Sequence, residues 1–482
     1  MDRLLVRAAY VLTMDPARGD VPGGEILIED GRIEAVGTDL GVSDARVIDA
    51  TGAILLPGMV DTHRHTWQAL LRGLCADWTL GDYSMGVRQT ISRHFSAEDV
   101  RIGNEVGAWE ALNAGVTTML DYSHCVNSPD HADAALDGLR ATGIRARWCY
   151  GFYAPPSAKP VFADHAARLA DFRRMARRLP TSGALVTLGA ALTEVALVPF
   201  RETIAEVSAA RDVGALIAAH TGCTWGSPVC MGIKELGAAG LLGPDQVHIH
   251  CNCLDDDEWR LLADAGAAIS ISPETELNMG MGRLVFDRCR QHGLVPSVSC
   301  DVVSLNSGDL LTQIRLGIAF MRWEENLPAN EAGGMPTVLR TTARDALRWA
   351  TVQGATACRL DGEVGTLTPG KRADLIAVGG PSSFATRPLI DPAAAVVFQI
   401  SPADVHTVIV DGHVVKEYGV LQGVDLPRLL SAAEDAATGI LDRVAVTGAP
   451  LRPPPDPAAW DAFNAWAAAN LADGAPDIGA ER

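Results

Sequence analysis

The stretch Ala53-Ile54-Leu55-Leu56-Pro57-Gly58-Met59-Val60-Asp61-Thr62-His63-Arg64-His65 decides how this chain is read. An apolar run that ends abruptly in polar side chains has the pattern of a buried strand arriving at an open end. On an extended strand, residues at i and i+2 project to the same face, so the imidazoles of His63 and His65 can hold one divalent metal together. Alone, the pair reads equally as two partly exposed histidines at a strand terminus. Further ligands have to come from elsewhere in the chain.

They do, and each stands at the end of another apolar run. Val213-Gly214-Ala215-Leu216-Ile217-Ala218-Ala219 leads into His220, Gln246-Val247-His248-Ile249 into His250, and Leu294-Val295-Pro296-Ser297-Val298-Ser299-Cys300 into Asp301. A parallel barrel gathers residues from the C-terminal ends of different strands around one mouth, so ligands this far apart in sequence can converge. His63, His65, His220, His250 and Asp301 therefore read as one constellation.

More of the chain follows the same plan. Leu70-Leu71-Arg72-Gly73 and Ala114-Gly115-Val116-Thr117-Thr118-Met119-Leu120-Asp121 come after the first histidines. His250-Cys251-Asn252-Cys253-Leu254, Ser272-Pro273 and Leu277-Asn278-Met279-Gly280-Met281-Gly282 come later. Gly354-Ala355-Thr356-Ala357 and Gly365-Thr366-Leu367-Thr368-Pro369-Gly370-Lys371-Arg372-Ala373-Asp374-Leu375-Ile376 close the series. In this order the motifs resemble the amidohydrolase superfamily, in the branch of cytosine, guanine and adenosine-homologue deaminases and triazine hydrolases. The resemblance runs to about residue 426. It implies an α/β fold: a (β/α)8 barrel carrying a small β-sandwich built from both chain ends.

The residue patterns agree with that organisation. Residues 1–56 alternate short β-rich runs such as Ile26-Leu27-Ile28 and Ile33-Glu34-Ala35-Val36 with a Glu29-Asp30-Gly31-Arg32 turn, and the texture returns over 362–425. Over 57–361, strand-like runs alternate with helical stretches such as Glu202 to Ala210 and Asp256 to Ala263, the rhythm of a barrel. Residues 426–482 form a helical C-terminal extension. Its Leu451-Arg452-Pro453-Pro454-Pro455-Asp456-Pro457 segment is an extended connector to a last helix over Ala458 to Leu471, packed on the barrel or on a neighbouring subunit.

Composition narrows the class. A chain of 482 residues with 48% hydrophobic and 21% charged residues can bury a large core. Its net charge of -19 argues against nucleic acid or an anionic membrane as partner, since both call for basic patches. The N-terminus is interrupted by charges and lacks a signal-peptide pattern, so a cytoplasmic protein is expected. The ten cysteines read as reduced, mostly buried thiols. A homodimer or larger homo-oligomer is expected by analogy with the resembling proteins, acting on a small-molecule substrate.

The ligand types suit Zn²⁺, with Fe²⁺ or Co²⁺ as alternatives. A metal held in this way lowers the pKa of bound water toward ~7 and polarises the group under attack. His63, His65, His220 and Asp301 are assigned as ligands. By the resemblance, His250 orients the water and polarises the substrate, and Asp301 accepts the water's proton. The strand-four region Ala184 to Leu192 has no Lys for a bridging carbamate, so one metal per chain is expected.

One departure bears on the reaction. The deaminase branch carries a proton-shuttling glutamate three residues after the strand-five histidine, and this chain reads His220-Thr221-Gly222-Cys223. General acid–base catalysis contributes about 10²–10⁴-fold, so a deaminase would need a substitute. Glu276, Glu274 and Glu194 are candidates, each readable also as a loop or capping residue. Cys223 reads as a packing residue or a polarisable substrate contact. Trp67, Gln68 and His124 are candidate substrate contacts that could equally support their loops. The leading expectation is a mononuclear hydrolase of a C–N bond in an amide, urea, carbamate or substituted heterocycle. The alternatives are an aminohydrolase of a nitrogen heterocycle and a non-catalytic metal-binding protein.

Overall fold

The computed structural model describes residues 3–478 apart from 158, 453 and 455. Eight strands follow one another around a barrel: β1 (Met59–Arg64), β2 (Val116–Ser123), β3 (Arg145–Gly151), β4 (Val186–Ala191), β5 (Leu216–Thr221), β6 (Gln246–His250), β7 (Ala268–Ile271) and β8 (Pro296–Val298). Each pairs with its chain neighbours, and every pairing is parallel. β1 to β6 are buried along their whole length, which is why they read as near-continuous apolar runs.

The ring closes between β8 and β1 at its mouth. Asp301 N–H donates to the His63 carbonyl and His65 N–H donates to the Asp301 carbonyl, both at 2.9 Å, around an Arg64–Asp301 bridge. The backbone of the expected ligands thus completes the barrel.

The crossover helices start where the sequence supplies caps. Ser96 and Asp99 form a capping box at the head of Ala97–Asn113, and Asp255 and Glu258 do the same for Asp256–Ala265. The stretches expected to be helical at Glu202 to Ala210 and Asp256 to Ala263 lie within Phe200–Asp212 and Asp256–Ala265.

Both chain ends enter a nine-stranded sheet, in which Arg46–Pro57 pairs with Arg3–Val11 on one side and with Leu375–Gly379 on the other. Its strands enclose a separate apolar core that includes Val6, Ile26, Ile48, Leu55, Leu375 and Ile409. Arg46–Pro57 passes into β1 through Gly58, where a Cβ would stand 2.1 Å from the Thr117 hydroxyl, so only glycine fits this junction. At the opposite end of the barrel from the mouth, Arg145 makes a bidentate pair with Asp374 at 2.8 and 2.9 Å and reaches Asp411 at 3.0 Å. That buried fork fastens the sheet to β3.

The C-terminal extension packs on the barrel. Helix Leu426–Val446 buries Leu429, Ala436, Ile440 and Val444, and Arg443 pairs with Asp99. Arg452 reaches Asp82, and Asn470 at the far end of helix Pro457–Ala472 donates to the Ala196 carbonyl at 3.2 Å. Pro453 and Pro455 of the expected connector lie outside the described residues. No described helix is long and apolar enough to cross a membrane.

Candidate metal centre

β1 ends in His63 and the bridge residue Arg64, with His65 just beyond. β5 carries His220 and β6 ends in His250, while Asp301 follows β8. Because all point into the mouth, five side chains from four strand ends meet. His63 Nε2 lies 3.0 Å from Asp301 Oδ1 and 3.3 Å from His220 Nε2. His65 Nε2 is 3.4 Å from Asp301 Oδ1, and His250 Nε2 is 3.9 Å from Asp301 Oδ2. All five residues are buried. His250 and Asp301 hold left-handed backbone, with φ of 77° and 59°, a conformation that costs a non-glycine residue roughly 1–3 kcal/mol and collects at functional sites.

The other edge of three rings is fixed. His65 Nδ1 donates to the Tyr122 carbonyl at 2.9 Å, His220 Nδ1 to Glu194 at 2.8 Å, and His250 Nδ1 to Glu276 at 3.1 Å. A carbonyl or carboxylate only accepts, so each Nδ1 carries the hydrogen, and in a neutral ring the Nε2 lone pair is left to face the cluster. Metal-bound histidines are oriented by the same kind of contact.

The electrostatics point the same way. Burial drives the His63 pKa down to about 4 and that of His65 well below the usual imidazole range, so both rings are neutral at pH 7. Burial also depresses His220 against the opposing pull of Glu194. For Asp301 burial raises the pKa, but the His63 contact and the other histidines outweigh it and hold the carboxyl well below the carboxylate range. His250 is the exception: burial lowers it, while the Glu276 hydrogen bond and Asp301 raise it to about 9. Neutral imidazole nitrogens crowded around one carboxylate, two of them 3.3 Å apart, are a donor set that a divalent cation satisfies. Two overlapping triads meet the spacing for a metal, His63–His65–Asp301 and His63–His220–His250.

The remaining candidates differ in what holds them. Glu194, at the mouth beyond β4, is gripped by Arg88 at 2.5 and 3.1 Å as well as by His220. Burial pushes its carboxyl up, and the Arg88 charge overcomes this and holds it well below the carboxylate range. Glu276 accepts from Ser272 N–H at 2.7 Å and Asn252 Nδ2 at 3.0 Å in addition to His250, which occupies both oxygens. Glu274 stands apart, bonded to Ser307 at 3.0 Å and to Gln313. Gln68 is taken up by Tyr83 at 2.6 Å and Ser304 at 3.0 Å. Trp67 is fully buried and donates to His124 Nδ1 at 3.0 Å, so it backs His124. His124 stacks on His65 at 3.9 Å and 5°. Cys223 is buried and engages the Cys230 thiol.

Sequence reasoning had no sight of Arg88 or Tyr122. Arg88 sits in a short wide-turn helix, Ser84–Ile91, between β1 and β2, in a stretch without a recognisable motif. Tyr122 lies against the His220 ring at 4.3 Å and orients His65 through its carbonyl.

Comparison with known proteins agrees with this geometry. The profile of the amidohydrolase family matches residues 54–415. A 5-methylthioadenosine/S-adenosylhomocysteine deaminase of Symbiobacterium thermophilum is 30% identical over 92% of this chain and 100% of its own length. A 5'-deoxyadenosine deaminase of Methanosarcina barkeri is 28% identical over 92% of this chain and 100% of its own. Among solved structures, a zinc-bound adenosine deaminase from Xanthomonas campestris superposes with a TM-score of 0.78 at 21% identity, covering 92% of this chain and 98% of that one. The zinc complex of an atrazine chlorohydrolase from Arthrobacter aurescens TC1 gives 0.77 at 22% identity, covering 90% and 100%. The chain belongs to the amidohydrolase family and is a hydrolase of carbon–nitrogen bonds other than peptide bonds.

Proposed function

We propose that this chain hydrolyses a C–N bond of a small neutral molecule, an amide, urea, carbamate or substituted heterocycle, and releases an amine. His63, His65, His220 and Asp301 would hold one divalent ion, Zn²⁺ in the first place. Such an ion supplies Lewis acidity, polarising the substrate and lowering the pKa of water toward ~7. The convergence of three Nε2 atoms on Asp301, with that of His220 3.3 Å from the His63 Nε2 and three of the rings anchored from behind, is the observation that carries this reading.

The chain's own groups divide the remaining work. Asp301, ionised under the influence of the histidines, takes up the proton of the attacking water and passes it to the departing nitrogen. His250, whose pKa the Glu276 hydrogen bond and Asp301 raise, would donate from Nε2 to the oxygen or ring nitrogen on which charge develops. Glu194 and the Tyr122 carbonyl keep His220 and His65 in the tautomer that a ligand needs.

A second reading, an aminohydrolase releasing ammonia from a nitrogen heterocycle, is favoured by the relatives that are named as deaminases. Against it stands the state of the carboxylates. Cys223 occupies the place of the shuttle, Glu194 is committed to Arg88 and His220, and Glu276 to His250. The test is turnover of a panel of N-alkyl ureas, amides and carbamates beside 5'-methylthioadenosine and 5'-deoxyadenosine, with amine and ammonia measured separately. Amine release that stops on chelation and returns with Zn²⁺ is expected. Ammonia from the nucleosides as the main product would establish the second reading. Metal uptake without any turnover would point to a binding protein.

A further inference from the structure

Beside His63, whose own Nδ1 is unpaired, His124 Nε2 and Arg88 Nε are buried donors with no partner among the described residues. A buried polar group left unpaired is costly, so such atoms call for an occupant. We propose that His124 and Arg88 read a hydrogen-bond acceptor on the substrate, a carbonyl oxygen or a pyridine-type ring nitrogen next to the scissile carbon. This deepens the hydrolase reading and rests on it for the location of the substrate.

Geometry fixes the sign of the His124 contact. An indole N–H can only donate, and Trp67 Nε1 stands 3.0 Å from His124 Nδ1, so that nitrogen is bare and the ring hydrogen is on Nε2. The two nitrogens diverge from the ring, so Nε2 points away from Trp67. The ring is 1% exposed, lies parallel to His65 at 3.9 Å, and has its centre 6.3 Å from that of His220. A donor of fixed polarity is therefore held against the face of the centre.

Arg88 adds a second. Both terminal nitrogens donate to Glu194, which also binds His220, so the guanidinium is tied to the same ligand. Its plane is kept in place by the Tyr153 ring, 4.0 Å away, and Nε–H has no partner among the described residues. Because Glu194 neutralises Arg88 and the bare Nδ1 makes His124 neutral, the two donors bring no net charge. They match a neutral acceptor better than a carboxylate or phosphate. A substrate edge that offers only N–H groups would meet donor against donor.

Binding tests this without turnover. The probes are 2-imidazolidinone, a cyclic urea, and its thione, which has the same shape and a weaker acceptor. Each is titrated calorimetrically into the Zn²⁺-loaded wild type and His124→Phe, a variant that retains a ring to stack on His65. Comparing the two ligands across the two proteins cancels their different affinities for the ion. Loss of one buried hydrogen bond predicts that His124→Phe weakens the urea about tenfold and the thione less than about threefold. An unchanged urea-to-thione ratio overturns the proposal, and so does failure of the wild type to bind either probe at millimolar concentration.

Should His124→Phe not fold, ¹⁵N spectra of histidine-labelled wild type and Trp67→Phe decide. The proposal requires the His124 hydrogen on Nε2 in the wild type, an Nε2–H resonance that moves when the urea is added, and a mixture of tautomers in Trp67→Phe. A hydrogen on Nδ1, or no response to the urea, contradicts it. A panel that yields no amine, beside a urea preference that depends on His124, would discard the hydrolysis and leave the donor pair standing.

Discussion

At the N-terminal end of the barrel, Arg145 and Arg147 are buried and held by partners within the fold: Arg145 by Asp374 and Asp411, Arg147 by the Cys358, Thr181 and Arg359 carbonyls and the Thr187 hydroxyl. At the C-terminal end, groups equally buried keep atoms in reserve. His63 Nδ1, His124 Nε2 and Arg88 Nε have no partner among the described residues, and His250 and Asp301 hold strained backbone. The arginines at one end of the strands are paired within the fold, and the centre at the other end keeps atoms for something the protein itself does not supply. The difference is the one expected of a barrel whose chemistry lies where its strands end.

The contrast breaks most visibly at Asp301. Asp301→Asn should lower kcat/KM about 10³-fold, within the range for loss of a general acid–base group, with circular dichroism and melting temperature close to wild type. A variant that turns over normally would remove Asp301 from the chemistry.

The opposite outcome is expected at the closed end. Arg145→Met leaves Asp374 buried without its partner and should destabilise the fold by about 3–5 kcal/mol in chemical denaturation, while kcat of the folded fraction is preserved. A change in kcat larger than the change in stability would mean that the two ends are coupled.

Glu194→Gln sharpens the account of the open end. The substitution weakens the acceptor that orients His220, so metal affinity in chelator competition should fall about 10–100-fold. Unchanged affinity would leave Glu194 as an anchor for Arg88 alone.

The smallest effect concerns pH and the metal-free protein. His250 is raised from the ordinary imidazole value to about 9, so its contribution to stability is complete below about 6.5 and is lost as pH rises through 9. The melting temperature of the metal-free wild type should therefore decline between pH 6.5 and 9.5 more steeply than that of Glu276→Gln, in which the larger of the two raising partners is gone. Parallel curves would place the proton elsewhere.

Much of this contrast is legible in the sequence. His63, His65, His220, His250 and Asp301 each terminate an apolar run, and strand ends of a parallel barrel have only one place to meet. The sheet that joins both chain ends is equally readable, because Ile26-Leu27-Ile28 near the start and the runs around Leu375 and Val408 near the end share one texture. Less legible is which polar atom touches which. Glu194 reads as a candidate acid, yet what it binds depends on Arg88, 106 residues earlier in the chain. Glu276 reads as a residue of the mouth, and only the turn of helix Pro273–Asn278 sends its carboxylate behind His250. Trp67 and His124 are seen as neighbours of the site, while the bond between them, which sets the polarity of His124, joins two loops. Periodicity reports which face of an element is buried; the direction of a side chain beyond the strand end is set by tertiary contacts.

A resident metal centre with room for one ion is what this cluster should prove to be. Elemental mass spectrometry of protein purified without added metal, beside a His63→Ala control, tests it most directly. About one equivalent of a divalent metal per chain is expected, absent from the control. Two equivalents, or none even after Zn²⁺ is supplied, would contradict it.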